Sequence, residues 1–336
     1  MTRLTFGTAV LTLAACFGLA TPLHAAPKPV KIALFVAIQA NPVEQSIIET
    51  FKQVAEKDGA TKLVVFDSNN SVQKELANCN DAIAAGGFDA FALKAVAGPP
   101  LMACARAAIE AKIPVVVFGN ALGPDPNTAA RQIPGLAGSV IELAQTNGRS
   151  IAALVNEACV ARGKSPCNVA YAYGPLAFDW ASISRKSFEE AVAKDYPNVR
   201  IVASGLNDFN PETARTLTKT LLQTHPEIDV VATDVDFAAA GAIAALKDVG
   251  KAPGRDVLVT GAALSNQGKD LIAKGELFGS TCLMPATEAR TAAQYAILAA
   301  RGEPIAEPDV EVCRAFAKTG VSPITAGNLD QFTPEW

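Results

Sequence analysis

Past residue 26, the side chains best suited to nucleophilic or metal chemistry are six cysteines, Cys79, Cys104, Cys159, Cys167, Cys282 and Cys313, and one histidine, His225. Their spacing builds no reactive centre. No Cys-x-x-Cys occurs, so zinc-type ligation is not expected. His225 stands in Gln223-Thr224-His225-Pro226-Glu227 at a helix end, where an imidazole caps carbonyls rather than shuttling protons. There is no G-x-S-x-G elbow, no H-E-x-x-H, no Walker loop and no G-x-G-x-x-G after a strand. Catalytic residues, metal and cofactor are therefore not expected, and binding is the chemistry left. Trp180 is the first candidate, because it falls in a strand-to-helix connection, the end of a parallel sheet where ligands collect.

The first residues decide where the chain works. Arg3 is the only charge before an apolar run from Leu4 to Leu19, followed by Thr21-Pro22 and Leu23-His24-Ala25-Ala26. That order is the n-region, h-region and cleavage site of a secretory signal peptide over residues 1–25. The run falls short of the roughly 20 apolar residues of a spanning helix. Leu13-Ala14-Ala15-Cys16 also fits a lipobox, in which Cys16 would carry lipid, although Phe17-Gly18-Leu19-Ala20 continue the apolar region. In an oxidising compartment the even cysteine count favours disulfides. Cys159 and Cys167 bracket a turn-rich loop, Cys79 and Cys104 fall in successive helices, and Cys282 and Cys313 make the third pair. The alternative for each is a small buried hydrophobe.

The chain has 29 Lys+Arg against 33 Asp+Glu, a net charge of −4, and no basic cluster, which argues against a nucleic-acid partner. Hydrophobic content is 50% with only 6% aromatic, as expected of parallel strands covered by helices on both faces. From Lys31 onward β-branched runs alternate with helical patterns: strands at 31–37, 63–66, 90–93 and 115–118, and helices at 43–57, 74–85 and 101–111. Such succession gives a parallel sheet with right-handed crossovers. The Gly/Pro/Asn-rich stretch from Gly119 to Gly138 breaks the rhythm and reads as a connection between lobes. A long helix over 140–161 follows. Strands at 168–173, 200–204, 229–232, 257–260, 278–283 and 310–315 then alternate with helices at 184–194, 211–224, 238–249, 266–274 and 287–301. The fold class is α/β, two doubly wound Rossmann-like lobes with parallel sheets.

The stretches Leu63 to Asn80, Asn207 to Leu222, Val230 to Lys247 and Ala262 to Leu277 together resemble the ribose-type periplasmic binding proteins, the solute receptors of ABC importers. The resemblance covers Lys31 to Arg301. It implies the type I fold, a three-crossover hinge near Pro134, Met284 and Pro308, and closure on a small molecule held between the lobes. The lobes would be 26–134 plus 284–308 and 135–283 plus 309–336. It also implies a monomer in the periplasm that meets permease and ATPase subunits at the inner membrane.

Carried over residue by residue, the sugar-gripping Asp-Arg pair corresponds to Gly119-Asn120, an arginine corresponds to Ser182 beside Asp179 and Trp180, and a second-lobe aromatic is kept as Phe209. Further polar positions match Val235, Ala263 and Leu283. The charged hydroxyl clamp is largely replaced by apolar groups. Trp180 and Phe209 would sandwich an apolar ligand face, while Asn41, Glu44, Asn120 and Asp234 fix a polar edge. Asn41 and Asp234 have helix capping as an alternative role, and Lys94 has plain solvation. The ligand class is a small sugar-like molecule, polyol or cyclitol. The rival function is a sensory receptor passing its signal to a chemoreceptor or kinase.

Overall fold

The computed structural model describes residues 27–316 and 323–336; the signal-peptide reading, its cleavage site and Cys16 lie outside them. In chain order the first lobe begins with β1 (Val30–Val36), α1 (Pro42–Asp58), β2 (Thr61–Asp67), α2 (Val72–Ala85), β3 (Ala90–Leu93), α3 (Gly98–Glu110), β4 (Val115–Gly119) and β5 (Gly138–Ile141). The second continues with α4 (Ala144–Arg162), β6 (Cys167–Tyr173), α5 (Asp179–Asp195), β7 (Val199–Leu206), α6 (Pro211–Thr224), β8 (Val230–Thr233), α7 (Asp236–Asp248), β9 (Leu258–Thr260), α8 (Asn266–Ala273) and β10 (Gly279–Ser280). The chain then returns through α9 (Pro285–Arg301) and β11 (Asp309–Glu311), and ends with α10 (Val312–Phe316) and β12 (Ile324–Thr325).

Each lobe is one six-stranded sheet, ordered β11-β5-β4-β3-β1-β2 and β12-β10-β9-β8-β6-β7. All pairings are parallel except β10 with β12. The central strands β1, β3, β4, β6 and β8 are Ala/Val-rich and buried along nearly their whole length, because helices cover both faces. Ala289, Ala292, Ala293 and Ala296 of α9 lie against Ile32, Leu34, Val116 and Phe118. Their small side chains let a helix that returns from the other lobe dock closely on the first sheet.

Several elements differ from the sequence expectation. Residues 138–141 form β5 rather than the start of a helix, because Val140 and Ile141 are fully buried between β4 and β11. The expected strand over 310–315 is only β11, which turns into α10, and the antiparallel β12 lies beyond the last expected strand. Strand β10 is two residues long. Helix α5 starts at Asp179, five residues before the expected Ser184, so Trp180 and Ser182 sit in its first turn. In sheet membership β5 and β11 fall with the first lobe. The chain therefore changes sheets after Ile141, between Ser280 and Pro285, and after Glu311, a few residues beyond the crossovers expected at Pro134 and Pro308.

Three disulfides join Cys79 to Cys104, Cys159 to Cys167 and Cys282 to Cys313. The first ties α2 to α3 on one face of the first sheet, and the third ties the two returning segments beside the crossovers. The C-terminal tail also spans both lobes. Glu335 accepts from Ser46 and Thr287 on the first-lobe side, while the Trp336 carbonyl accepts from Asn266 and the Phe332 carbonyl from Lys269 on the second.

Candidate functional site

The carboxyl ends of both sets of strands open into one cleft between the lobes. From the first lobe come Asn41 after β1, Lys94 after β3, Asn120 after β4 and Glu142 after β5, with Glu44 on α1 and Glu288 on α9. From the second come Phe178 and Trp180 after β6, Phe209 after β7, Phe237 after β8, and Ala263 and Leu283 after β9 and β10. One wall is thus aromatic and the facing floor is polar.

The floor is built around a buried ion pair. Lys94 Nζ donates to Glu44 Oε1 at 2.5 Å, and both side chains are at least nine-tenths buried. The lysine stem runs over Gly119, where a Cβ would stand 2.7 Å from Lys94 Cε, and Gly119 also takes φ +76°, a region that favours glycine. Burial opposes the charge on Lys94, but the carboxylates of Glu44, Glu288 and Glu142 outweigh it and raise its pKa. Burial pushes the Glu288 carboxyl up to about 8, against the pull of Lys94. Glu142 is raised well above the usual carboxylate range, first by burial and then by the neighbouring Glu288. Asn120 is buried and donates to the Ala95 carbonyl at 2.7 Å, and Asn41 caps α1 by accepting from Val43 N at 2.8 Å.

The aromatic wall rests on a hydrogen-bonded buckle behind it. Asp234 is fully buried, accepts from Gly174 N at 2.5 Å and from Asn207 Nδ2 at 2.8 Å, and is raised to about 6 by burial. Asn207 in turn accepts from Phe209 N at 2.8 Å. The Phe209 ring lies over Gly174, where a Cβ would come within 2.3 Å of it. Asp208, Phe209 and Ala263 all hold left-handed φ values of +54°, +46° and +60°, strain of the kind that collects at binding sites.

Of the residues singled out from sequence, the structure brings Asn41, Glu44, Asn120, Trp180 and Phe209 together around the cleft. It does not bring Asp179, Ser182 or Asp234 to that lining. Asp179 Oδ2 accepts from Gly98 N at 2.7 Å and its own N–H points to the Val96 carbonyl at 3.4 Å, so it fastens the second lobe to the first. Ser182 Oγ donates to the Asp179 carbonyl within the first turn of α5, and Asp234 sits behind Phe209. Lys94 is no solvated rim group. Sequence reasoning missed Glu142, Glu288, Phe178 and Phe237. Phe178 had a signal in its place next to Asp179-Trp180, and Glu142 in following a strand. Phe237, in the first turn of α7 just after β8, had the same strand-end signal, whereas Glu288 comes from a returning helix and had none.

The periplasmic binding protein domain model matches residues 32–304. The chain belongs to this family. The ribose import binding protein of Salmonella typhimurium is 27% identical over 254 residues, covering 76% of this chain and 79% of that protein. The D-apiose import binding protein of Paraburkholderia graminis is 25% identical over 306 residues and 90% of each chain. Among solved structures, an ABC transporter solute binding protein from Bacillus halodurans with bound myo-inositol superposes with a TM-score of 0.76 at 17% identity, covering 93% of this chain and 100% of that one. The myo-inositol binding protein of Caulobacter gives 0.75 at 19% identity over 94% and 98%. The resemblance to ribose-type receptors and the two-lobed fold class are both borne out by these matches.

Two outcomes follow from the site. Trp180→Ala should weaken ligand binding on the order of a hundredfold by isothermal titration, because a stacked indole buries a large apolar area. The melting temperature should hold, since Trp180 is only half-buried in α5; unchanged affinity in a folded variant would remove Trp180 from the site. The second outcome concerns pH. Glu288 and Glu75, both carried to about 8 by burial, keep protons in the folded state that the unfolded chain releases above the ordinary carboxyl range. The stability they contribute is complete below that range and is lost as pH rises toward their folded values. Tm of the ligand-free protein should therefore fall between about pH 5 and pH 8, and Glu288→Gln should flatten the fall. A Tm that rises over this window would contradict the assignment.

Proposed function

We propose that this protein is the periplasmic solute receptor of an ABC importer, and that it holds a small sugar-like, polyol or cyclitol ligand between its lobes. The observation that carries the reading is the cleft itself, with an aromatic wall on one lobe and hydrogen-bonding groups on the other. That division suits a ring or carbon chain with one apolar face and a polar edge. The relatives' names support the same class, since they bind ribose and apiose and the neighbouring structures hold inositol. The liganded, closed form would present both lobes to the permease, and the associated ATPase would drive release. The protein acts as a monomer in this scheme.

The three crossovers let one lobe rotate on the other, and Asp179 with the 96–98 backbone clasps them when closed. A thermal-shift screen of the mature protein against sugars, polyols and cyclitols should yield a stabilising ligand, because occupancy at 100 times Kd adds about 2.7 kcal/mol. Small-angle scattering should then show the radius of gyration falling on addition of that ligand. A stabilising ligand with an unchanged scattering profile would speak for a rigid scaffold, and silence across the whole panel would count against the ligand class.

A further inference from the structure

The floor of the cleft carries more acid than its own residues balance. Glu44, Glu142 and Glu288 line it at 4%, 5% and 3% exposure. Lys94 is the only cationic side chain among the lining residues, and it is engaged by Glu44 Oε1. Three carboxyl oxygens have no hydrogen-bond partner: Glu44 Oε2, Glu142 Oε2 and Glu288 Oε1. A buried acceptor left unmet costs free energy that a ligand donor recovers. Hydroxyl groups would supply donors but no charge, so the two carboxyls that Lys94 does not balance would stay protonated. An ammonium supplies both. Across the cleft stand Trp180 and Phe209, whose ring faces attract cations as well as apolar carbon.

We propose that the ligand carries an ammonium group, as an aminated polyol or aminocyclitol does, with the amine held among Glu44, Glu142 and Glu288 and the carbon skeleton against Trp180 and Phe209. This deepens the receptor reading above and rests on it. Without such a charge nearby, burial favours the protonated form of Glu142 and Glu288 and raises both above the usual carboxyl range. The ammonium takes the place of such a proton, which leaves to solvent.

Isothermal titration at about pH 7 with matched pairs tests this, each pair an amine and the alcohol that replaces its amino group by hydroxyl: glucosamine and glucose, an inosamine and inositol, 2-amino-1,3-propanediol and glycerol. In any pair that binds, the amine should bind at least about tenfold more tightly. Glu288→Gln, shown to be folded by circular dichroism, should cut that ratio to about threefold or less, and Glu142→Gln serves the same purpose should the first variant not fold. Equal or tighter binding of the alcohols overturns the inference and leaves the receptor reading standing. A ratio unmoved in both folded variants also overturns it. Failure of all six compounds to bind overturns the inference together with the polyol class.

Discussion

The Lys94–Glu44 ion pair is the interaction on which the cleft depends. It joins the carboxyl end of β3 to the first turns of α1 in a site where neither charge meets bulk water. Removing one partner of such a pair leaves an uncompensated buried charge and costs about 3–5 kcal/mol. Around it the fold sets Glu142, which follows β5 where the chain first leaves the lobe, and Glu288, at the start of α9 where it first returns. Gly119 keeps the space for the lysine stem. Glu142 and Glu288 thus bring the first two crossovers to the edge of this charge cluster.

The second lobe contributes shape rather than charge. Its aromatic residues are positioned from behind by Asp234, which fixes Asn207 and Gly174 and so sets the Phe209 backbone in its left-handed turn. Two buried aspartates serve this lobe without reaching the cleft: Asp234, and Asp236, which holds Ser265 and Ser280 where α8 and β10 meet. The clasp between Asp179 and the 96–98 backbone belongs to neither wall. It joins the rims, and its two hydrogen bonds exist only when the lobes are together.

The fold was legible because β-branched runs alternating with helical spacing leave few arrangements for a chain of this composition. Strands β1, β3, β4 and β8 and helices α1 and α6 fall within a few residues of their expected places. The misread elements are short ones fixed by tertiary pairing: β5, whose Gly-Ser-Val-Ile looks helical when joined to the next segment, and β10 and β12, two residues each. At the site, residues that follow strands directly, such as Asn41 and Asn120, were visible. Asp179, Ser182 and Asp234 were not placed correctly, because proximity to a strand end does not say whether a side chain turns toward the cleft or toward the neighbouring backbone. Glu288 was invisible for a different reason: it reaches the first lobe through a helix that follows the second.

A crystal structure of the protein with a ligand that raises its melting temperature bears most directly on the central claim, that small-molecule recognition takes place between the aromatic wall and the charged floor. The expected result is ligand density between Trp180 and Phe209 on one side and the Glu44–Lys94 pair on the other, with the Asp179–Gly98 clasp closed. Ligand seated instead in the outer groove between α1 and α9, where Lys57, Arg290 and Arg301 gather, with the cleft empty, would contradict it.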